Sequence, residues 1–227
     1  MILTVPQVLT PEMVAQCRKT LEATAWVDGG VTAGQQSARA KYNLQVPEDA
    51  PEARALQDLI LHRLAQNPTF VAAALPLRVF PPLFNRYDEG MTFAPHIDNA
   101  IRFNAERGAR YRTDLSCTLF LSDPADYDGG ELIIEGASAH PAIKLRAGDM
   151  ALYPATTVHR VAPVTRGARW ASFFWVQSMI RSGEQRELLY DLDRSVAQVR
   201  AELGDEHPAA VSLTGTYHNL LRQWADA

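Results

Sequence analysis

The apolar positions change period twice along the chain, dividing it into a helical front, a β-rich middle and a helical end. Met13, Val14, Cys17 and Leu21 recur at steps of three and four, which lays them on one stripe of a helix over residues 10 to 25. Thr10 is placed to cap that helix, Pro11 suits its first position and Glu12 its positive end. Leu56, Leu59, Ile60 and Leu64 predict a second helix from Pro51 to Gln66. Asn67-Pro68 stops it, because the residue before a proline avoids the helical region. A short helical turn over Thr69 to Leu75 then leads into Leu77-Arg78-Val79-Phe80, where β character begins. Residues 31 to 47, with Gln35, Gln36, Arg39, Lys41 and Asn43, are polar without a period; the stretch reads as a solvated connector, the alternative being a substrate or interface segment.

From Arg78 onward short strands alternate with Gly, Pro and Asp. Between Thr113 and Ser122, Leu115, Cys117, Leu119 and Leu121 fall on one face, and Ser116, Thr118 and Phe120 on the other. Leu83 to Tyr87, Glu131 to Glu135, Ala142 to Leu145 and Met150 to Tyr153 are further strands. The last strand, Arg169 to Gln177, puts Arg169, Ala171, Phe173 and Trp175 on one face. Seven or eight strands with tight turns in roughly a hundred residues predict a mainly β fold, an antiparallel sandwich or jelly roll, and a double-stranded β-helix of the jelly-roll kind supplies a mouth where strands of both sheets present ligands to one ion. Beyond it, Leu188, Leu192, Val196, Val199 and Leu203 predict a helix from Glu184 to Leu203 that Gly204 ends. A second helix runs roughly from Ser212 to Trp224. The expected organisation is an N-terminal helical support over 1–77, a jelly-roll domain over 78–178 and a C-terminal helical segment over 179–227. That last segment either packs on the barrel or forms a contact between copies of the chain in a homo-oligomer.

Composition narrows the class. The chain has 227 residues, 47% of them hydrophobic and 21% charged, enough for one sizeable core. A net charge of −4 gives no footprint for nucleic acid. No apolar run approaches membrane-spanning length and the N-terminus lacks a signal-peptide core, so a cytoplasmic protein is expected. Cys17 and Cys117 both lie in apolar patterns and read as buried thiols rather than a disulfide framework.

The candidate chemistry lies in Pro95-His96-Ile97-Asp98-Asn99. In an extended segment His96 and Asp98 point the same way, and imidazole with carboxylate suits a divalent metal such as Fe(II). With six histidines in the chain, a lone His-x-Asp is a weak motif, and a turn-capping pair is the plain alternative. His159 supplies the second histidine of a two-His, one-carboxylate set, and Arg169, ten residues on, is placed to receive a carboxylate. Arg169 could equally pair with an acid as a structural strand residue, and Tyr87 is either a further hydroxyl for that carboxylate or a core-rim tyrosine. His140, in Ala139-His140-Pro141, would also complete a triad; His159 is preferred because only it is followed by a strand-borne arginine at that spacing. His62, His207 and His218 have no partner motif. Arg102, Arg107, Arg110 and Arg112 crowd the loop 99–112, which is either a lid or anionic-substrate contact, or a solvated charged loop.

Taken together, His96-Ile97-Asp98, the strand Leu115 to Leu121, Asp128-Gly129-Gly130-Glu131-Leu132, Ala147-Gly148-Asp149-Met150, His159-Arg160-Val161 and Arg169 resemble the iron- and 2-oxoglutarate-dependent dioxygenases. Tyr87-Asp88-Glu89-Gly90-Met91 through Ile101-Arg102, and Arg112-Thr113-Asp114-Leu115-Ser116, resemble in particular the bacterial PKHD-type hydroxylases, relatives of the prolyl hydroxylases associated with iron uptake. The resemblance implies that His96, Asp98 and His159 bind Fe(2+), that Arg169 binds 2-oxoglutarate, and that L-ascorbate supports activity. It implies molecular oxygen as a further reactant and succinate and carbon dioxide as products, with an unidentified prime substrate. Many prolyl-hydroxylating relatives carry Lys where Arg169 stands. The rival expectation is a cupin-like jelly-roll module that binds a metal or a sugar without oxidation.

Overall fold

The computed structural model describes residues 1–32, 40–105, 108–136 and 140–226. Two facing sheets form a double-stranded β-helix. The larger runs in the order Leu3–Val5, Met150–Pro154, Leu115–Phe120, Arg169–Ser178, Leu83–Tyr87, Leu44–Gln45 and Val27–Asp28, all antiparallel, with Pro76–Val79 also paired to Arg169–Ser178. The smaller runs Ala142–Ile143, Leu132–Ile134, His159–Val161, Thr92–His96 and Lys41–Tyr42. Two further two-stranded pairs complete the strands, the hairpin of Ile101–Asn104 with Ala109–Arg112, and Tyr127–Gly129 with Val164–Gly167, which are distant in sequence.

The helices are α1 (Pro11–Glu22), α2 (Pro51–Ala65), α3 (Pro68–Ala74), α4 (Gly183–Leu203) and α5 (Pro208–Trp224). Thr10 caps α1 by accepting from the Met13 amide, as its position predicts. The stripes of α1 and α2 (Val14, Cys17, Leu21, Leu56, Ile60 and Leu64) pack on the outer face of the larger sheet against Leu115, Cys117, Leu119 and Leu121. The inner face of the same central strand carries Ser116, Thr118 and Phe120. All six residues of Leu115–Phe120 are therefore buried, although they alternate in polarity. Both cysteines are free and buried, and burial pushes the Cys17 thiol up to about 11.

Three expectations need correction. The polar stretch 31–47 is not a solvated connector over its described second half: Lys41, Asn43 and Gln45 are buried, and Lys41–Tyr42 and Leu44–Gln45 add a strand to each sheet. Gln35, Gln36 and Arg39 lie outside the described residues. The loop 99–112 is largely a hairpin, whose backbone pairs Ile101 with Arg112 and Phe103 with Arg110. The final helix starts at Pro208 rather than Ser212, because His207 accepts from the Ala209 amide and Pro208 takes the first helical position.

α4 and α5 pack on the chain's own core. Leu75, Ile180 and Leu189 form a buried cluster, with Tyr217, Leu220, Leu221 and Trp224 of α5 against it. Arg186 is buried beside them, donating from Nη1 to the Ile180 carbonyl at 2.6 Å and the Arg181 carbonyl at 3.0 Å. No described helix is long and apolar enough to cross a membrane.

Leu189 is 0% exposed, so truncating it leaves a cavity that helix packing cannot close. Leu189→Ala should cost about 2–5 kcal/mol, lowering Tm by roughly 4–20 °C for a chain of this size. Thermal unfolding followed by circular dichroism measures it, and an unchanged Tm would mean that α4 contributes little to the folded core.

Candidate metal centre

The smaller sheet brings the two histidines together. Strands Thr92–His96 and His159–Val161 are antiparallel neighbours in a register that sets His159 opposite His96. Their ring centroids are 4.3 Å apart. His159 Nε2 lies 3.7 Å from Asp98 Oδ2. One ligand atom from each of His96, Asp98 and His159 falls within 4.8 Å of the others, close enough for one ion to touch all three. His140 is exposed and stands outside this cluster.

Local hydrogen bonds fix which nitrogens face the ion. His96 Nδ1 lies 2.9 Å from the Ala94 carbonyl, and His159 Nδ1 lies 3.0 Å from the Thr157 carbonyl. A carbonyl only accepts, so each Nδ1 carries the hydrogen and each Nε2 keeps its lone pair for a metal. His96 is further held by Phe93, stacked on it at 3.5 Å between centroids. Burial, reinforced by the neighbouring His159, lowers the His96 imidazole to about 4, so it is neutral near pH 7 as a ligand must be. Asp98 is oriented by Ser116, whose hydroxyl donates to Oδ2 at 2.5 Å. Buried Tyr153 lies with its ring 5.1 Å from His159; burial, and then the Asp98 charge, raise its phenol well above the ordinary value.

A cavity runs from this cluster down between the sheets. Its deep end holds Arg169, 1% exposed, with its guanidinium over the rings of Phe120 at 5.2 Å and Tyr87 at 5.3 Å. Its Nε is buried and meets no acceptor among the described residues. Nor does a carboxylate stand within ion-pair distance of it there, which removes the structural pairing considered for this arginine. A buried cation without a counter-ion is costly, and the site has the chemistry to take an anion's carboxylate. Tyr87 lies opposite Arg169 in the strand register, 1% exposed, its phenol pushed up to about 12 by burial against the opposing Arg169 charge.

The crowded arginines separate. Arg102 turns inward and lines the cavity, Arg112 is bound by Asp114 at 2.7 Å, and Arg110 is exposed. Arg107 lies outside the described residues. Sequence reasoning missed Ser116 and Lys41 as cavity residues. Ser116 was visible as a polar residue on the inward face of an alternating strand; Lys41 had no such signal, because its two-residue strand is too short to show a period.

Residues 82–177 match the 2OG-Fe(II) oxygenase superfamily, and residues 184–226 match the PKHD-type hydroxylase C-terminal domain. A PKHD-type hydroxylase of Methylobacterium nodulans is 58% identical and one of Gluconobacter oxydans is 57% identical, each aligned over 100% of both chains. Among solved structures, a prolyl-4-hydroxylase of Pseudomonas putida superposes with a TM-score of 0.52 at 18% identity, covering 78% of this chain and 92% of that one. HygX of Streptomyces hygroscopicus, solved with nickel and 2-oxoglutarate bound, superposes at 0.53 and 16% identity over 78% of this chain and 82% of its own. These structural likenesses establish the jelly-roll fold.

The lowered His96 value has a sign that can be checked without metal. The folded chain holds this imidazole at about 4, below its ordinary 6.5, so on acidification the unfolded chain takes up the proton first. The stabilisation is complete above pH 6.5 and is lost progressively as pH falls towards 4, at no more than about 1.4 kcal/mol per pH unit. Urea unfolding of the metal-free protein between pH 7 and 4.5 should show this slope, and His96→Gln should flatten it. Equal slopes in the two proteins would refute it.

Proposed function

The chain belongs to the PKHD-type hydroxylases of the 2OG-Fe(II) oxygenase superfamily, and from that premise we propose that His96, Asp98 and His159 hold the iron and that Arg169 holds 2-oxoglutarate. The observation that carries this reading is the pairing of two features in one cavity. At one end, three ligand atoms converge with their tautomers set; at the other, a buried guanidinium has an unpartnered Nε. A metal- or sugar-binding module has no use for such a cation, so the oxidative reading is favoured over the cupin-like one.

When bound, iron and 2-oxoglutarate supply the oxidising chemistry, in which decarboxylation to succinate accompanies transfer of one oxygen atom to the prime substrate. The chain's own part is positional. The Ala94 and Thr157 carbonyls hold the imidazoles in the ligating tautomer, and the Ser116 hydroxyl fixes the Asp98 carboxylate. Arg169 offers a planar fork to the far carboxylate of 2-oxoglutarate, and Tyr87 is a neighbouring phenol for the same group. Leu132 and Val161 line the cavity with apolar surface, which strengthens that charged contact by excluding water. No side chain is assigned as general acid or base. L-ascorbate supports activity in this reading, on the sequence resemblance alone.

Succinate release from 2-oxoglutarate in the presence of Fe(II) tests the activity. His96→Ala, Asp98→Ala and His159→Ala should each abolish it and weaken metal binding, whereas His140→Ala should leave both nearly intact. Arg169→Ala removes one partner of a buried charge pair, at about 2–5 kcal/mol, and should weaken 2-oxoglutarate binding roughly 30-fold to several thousand-fold. Metal affinity without 2-oxoglutarate should hardly change in that variant. Equilibrium titration decides it: unchanged 2-oxoglutarate affinity in Arg169→Ala would overturn that assignment even with the triad intact.

A further inference from the structure

Between Arg169 and the metal ligands stands a polar side chain that has had no role so far. Asn85 lies on the strand Leu83–Tyr87, lines the cavity and is 7% exposed. Its Oδ1 is buried without a donor, and no hydrogen bond among the described residues uses its amide nitrogen. Asparagine is disfavoured inside strands, and a buried amide without partners has given up the hydrogen bonds that water supplied. Gln45 stands opposite Asn85 on the neighbouring strand, but its Oε1 accepts from Lys41 Nζ at 2.7 Å. The described residues thus leave the Asn85 amide for something that enters the cavity.

Strand register shows what would reach it. Ala171 is opposite Asn85 on one side and opposite Phe120 on the other, so the three form one row across the larger sheet. Side chains directly opposite in antiparallel strands share a face, so all three turn into the cavity with Arg169 and Tyr87. Arg169 and Tyr87 form the next row towards the deep end, one two-residue step of about 7 Å away. The arginine stem runs along that step: its guanidinium carbon stands 5.3 Å from the Tyr87 ring centroid and 5.2 Å from that of Phe120, one ring from each row. A carboxylate on the metal-facing side of this guanidinium therefore lies beside Asn85. Such a group has about four lone-pair sites, of which the arginine fork takes two. Tyr87, kept protonated by burial, can donate to a third. An amide nitrogen in the next row supplies the fourth donor without a further buried charge.

We infer that Asn85 is a further binding residue for 2-oxoglutarate, its amide nitrogen donating to the far carboxylate beside Arg169 and Tyr87. The inference rests on the placement of 2-oxoglutarate proposed above. It also assigns Asn85 a part in selectivity. A ligand with an apolar end would leave the amide unpartnered, whereas a carboxylate returns the hydrogen bond that burial removed.

The test compares two keto acids that share the metal-binding end: 2-oxoglutarate, and 2-oxopentanoate, in which a methyl group replaces the far carboxylate. Each is titrated calorimetrically into the full chain loaded with Mn(II), so that no turnover occurs. Asn85→Ala should weaken 2-oxoglutarate binding about ten- to hundredfold and leave 2-oxopentanoate within about threefold. Asn85→Asp keeps the shape but sets an anion beside the ligand's own, so it should weaken 2-oxoglutarate at least as much. In an Arg169→Ala background, Asn85→Ala should cost 2-oxoglutarate less than in the unmodified chain, because the two residues hold one group. Circular dichroism and Mn(II) affinity without keto acid show whether each variant is folded. Unchanged 2-oxoglutarate affinity in folded Asn85→Ala, an equal loss for both keto acids, or an equal cost in both backgrounds overturns the inference. Should Asn85→Ala not fold, the same readings on the isosteric Asn85→Asp decide. An unmodified chain that binds both keto acids equally would instead overturn the placement of 2-oxoglutarate beneath the inference.

Discussion

Much of this architecture is arranged around one guanidinium at the buried end of the cavity. Burial of a lone cation is among the largest penalties that a fold can carry, and Arg169 is 1% exposed with its Nε unpartnered. The aromatic faces of Tyr87 and Phe120 recover part of that penalty. The chain must also bring the Asp128-Gly129-Gly130 turn against the arginine stem. A Cβ on Gly130 would stand 3.2 Å from Arg169 Cδ and 3.0 Å from both Tyr127 Cε2 and Val164 Cγ2, in a backbone conformation with φ of +67°. Glycine at this position therefore serves close approach and turn together. The double glycine is thus a packing requirement of the deep end of the cavity.

The metal end is built by a different logic, from backbone register. His96 and His159 meet because two antiparallel strands place them opposite each other, and both rings are held by carbonyls two residues earlier in the chain. Ala94 and Thr157 thus orient ligands without contributing side chains, so their identity carries no sequence signal. Asp98 is different. It lies beyond the strand end, and it needs a side chain from the facing sheet, Ser116, to hold it. The carboxylate's orientation thus depends on both sheets staying in contact.

How much of this was legible follows from the length of each element. The strands with long, clean alternation were readable: Leu115–Phe120 and Arg169–Ser178 lie within a residue or two of where period two puts them, with the same residues sharing each face. α1 was readable to its cap. The strands Leu3–Val5, Lys41–Tyr42 and Leu44–Gln45 were not, because two or three residues cannot express a period and their burial comes from partners far away in sequence. That is why Lys41, Asn43 and Gln45 looked like solvated polar residues although they are inside. The four arginines between Arg102 and Arg112 are equivalent in composition. Arg102 pairs with buried Tyr111 and turns inward, whereas Arg110 and Arg112 share the other strand face and differ because Asp114 claims Arg112 while Arg110 stays in solvent.

The two ends of the cavity are tied together by a single strand, which gives the site its ruler. Arg169, Ala171, Phe173 and Trp175 descend one face of Arg169–Ser178, so Arg169 and Trp175 are three two-residue steps apart, roughly 20 Å at strand rise. The deep end pairs with Tyr87 and the outer end with Ser116 beside Asp98. An arginine side chain reaching back along the cavity shortens that span. The separation between cation and metal ligands is thus fixed by hydrogen-bonded backbone, which resists change. Lys41 and Arg102 approach from the smaller sheet and the end hairpin, so their charges can vary without altering that ruler.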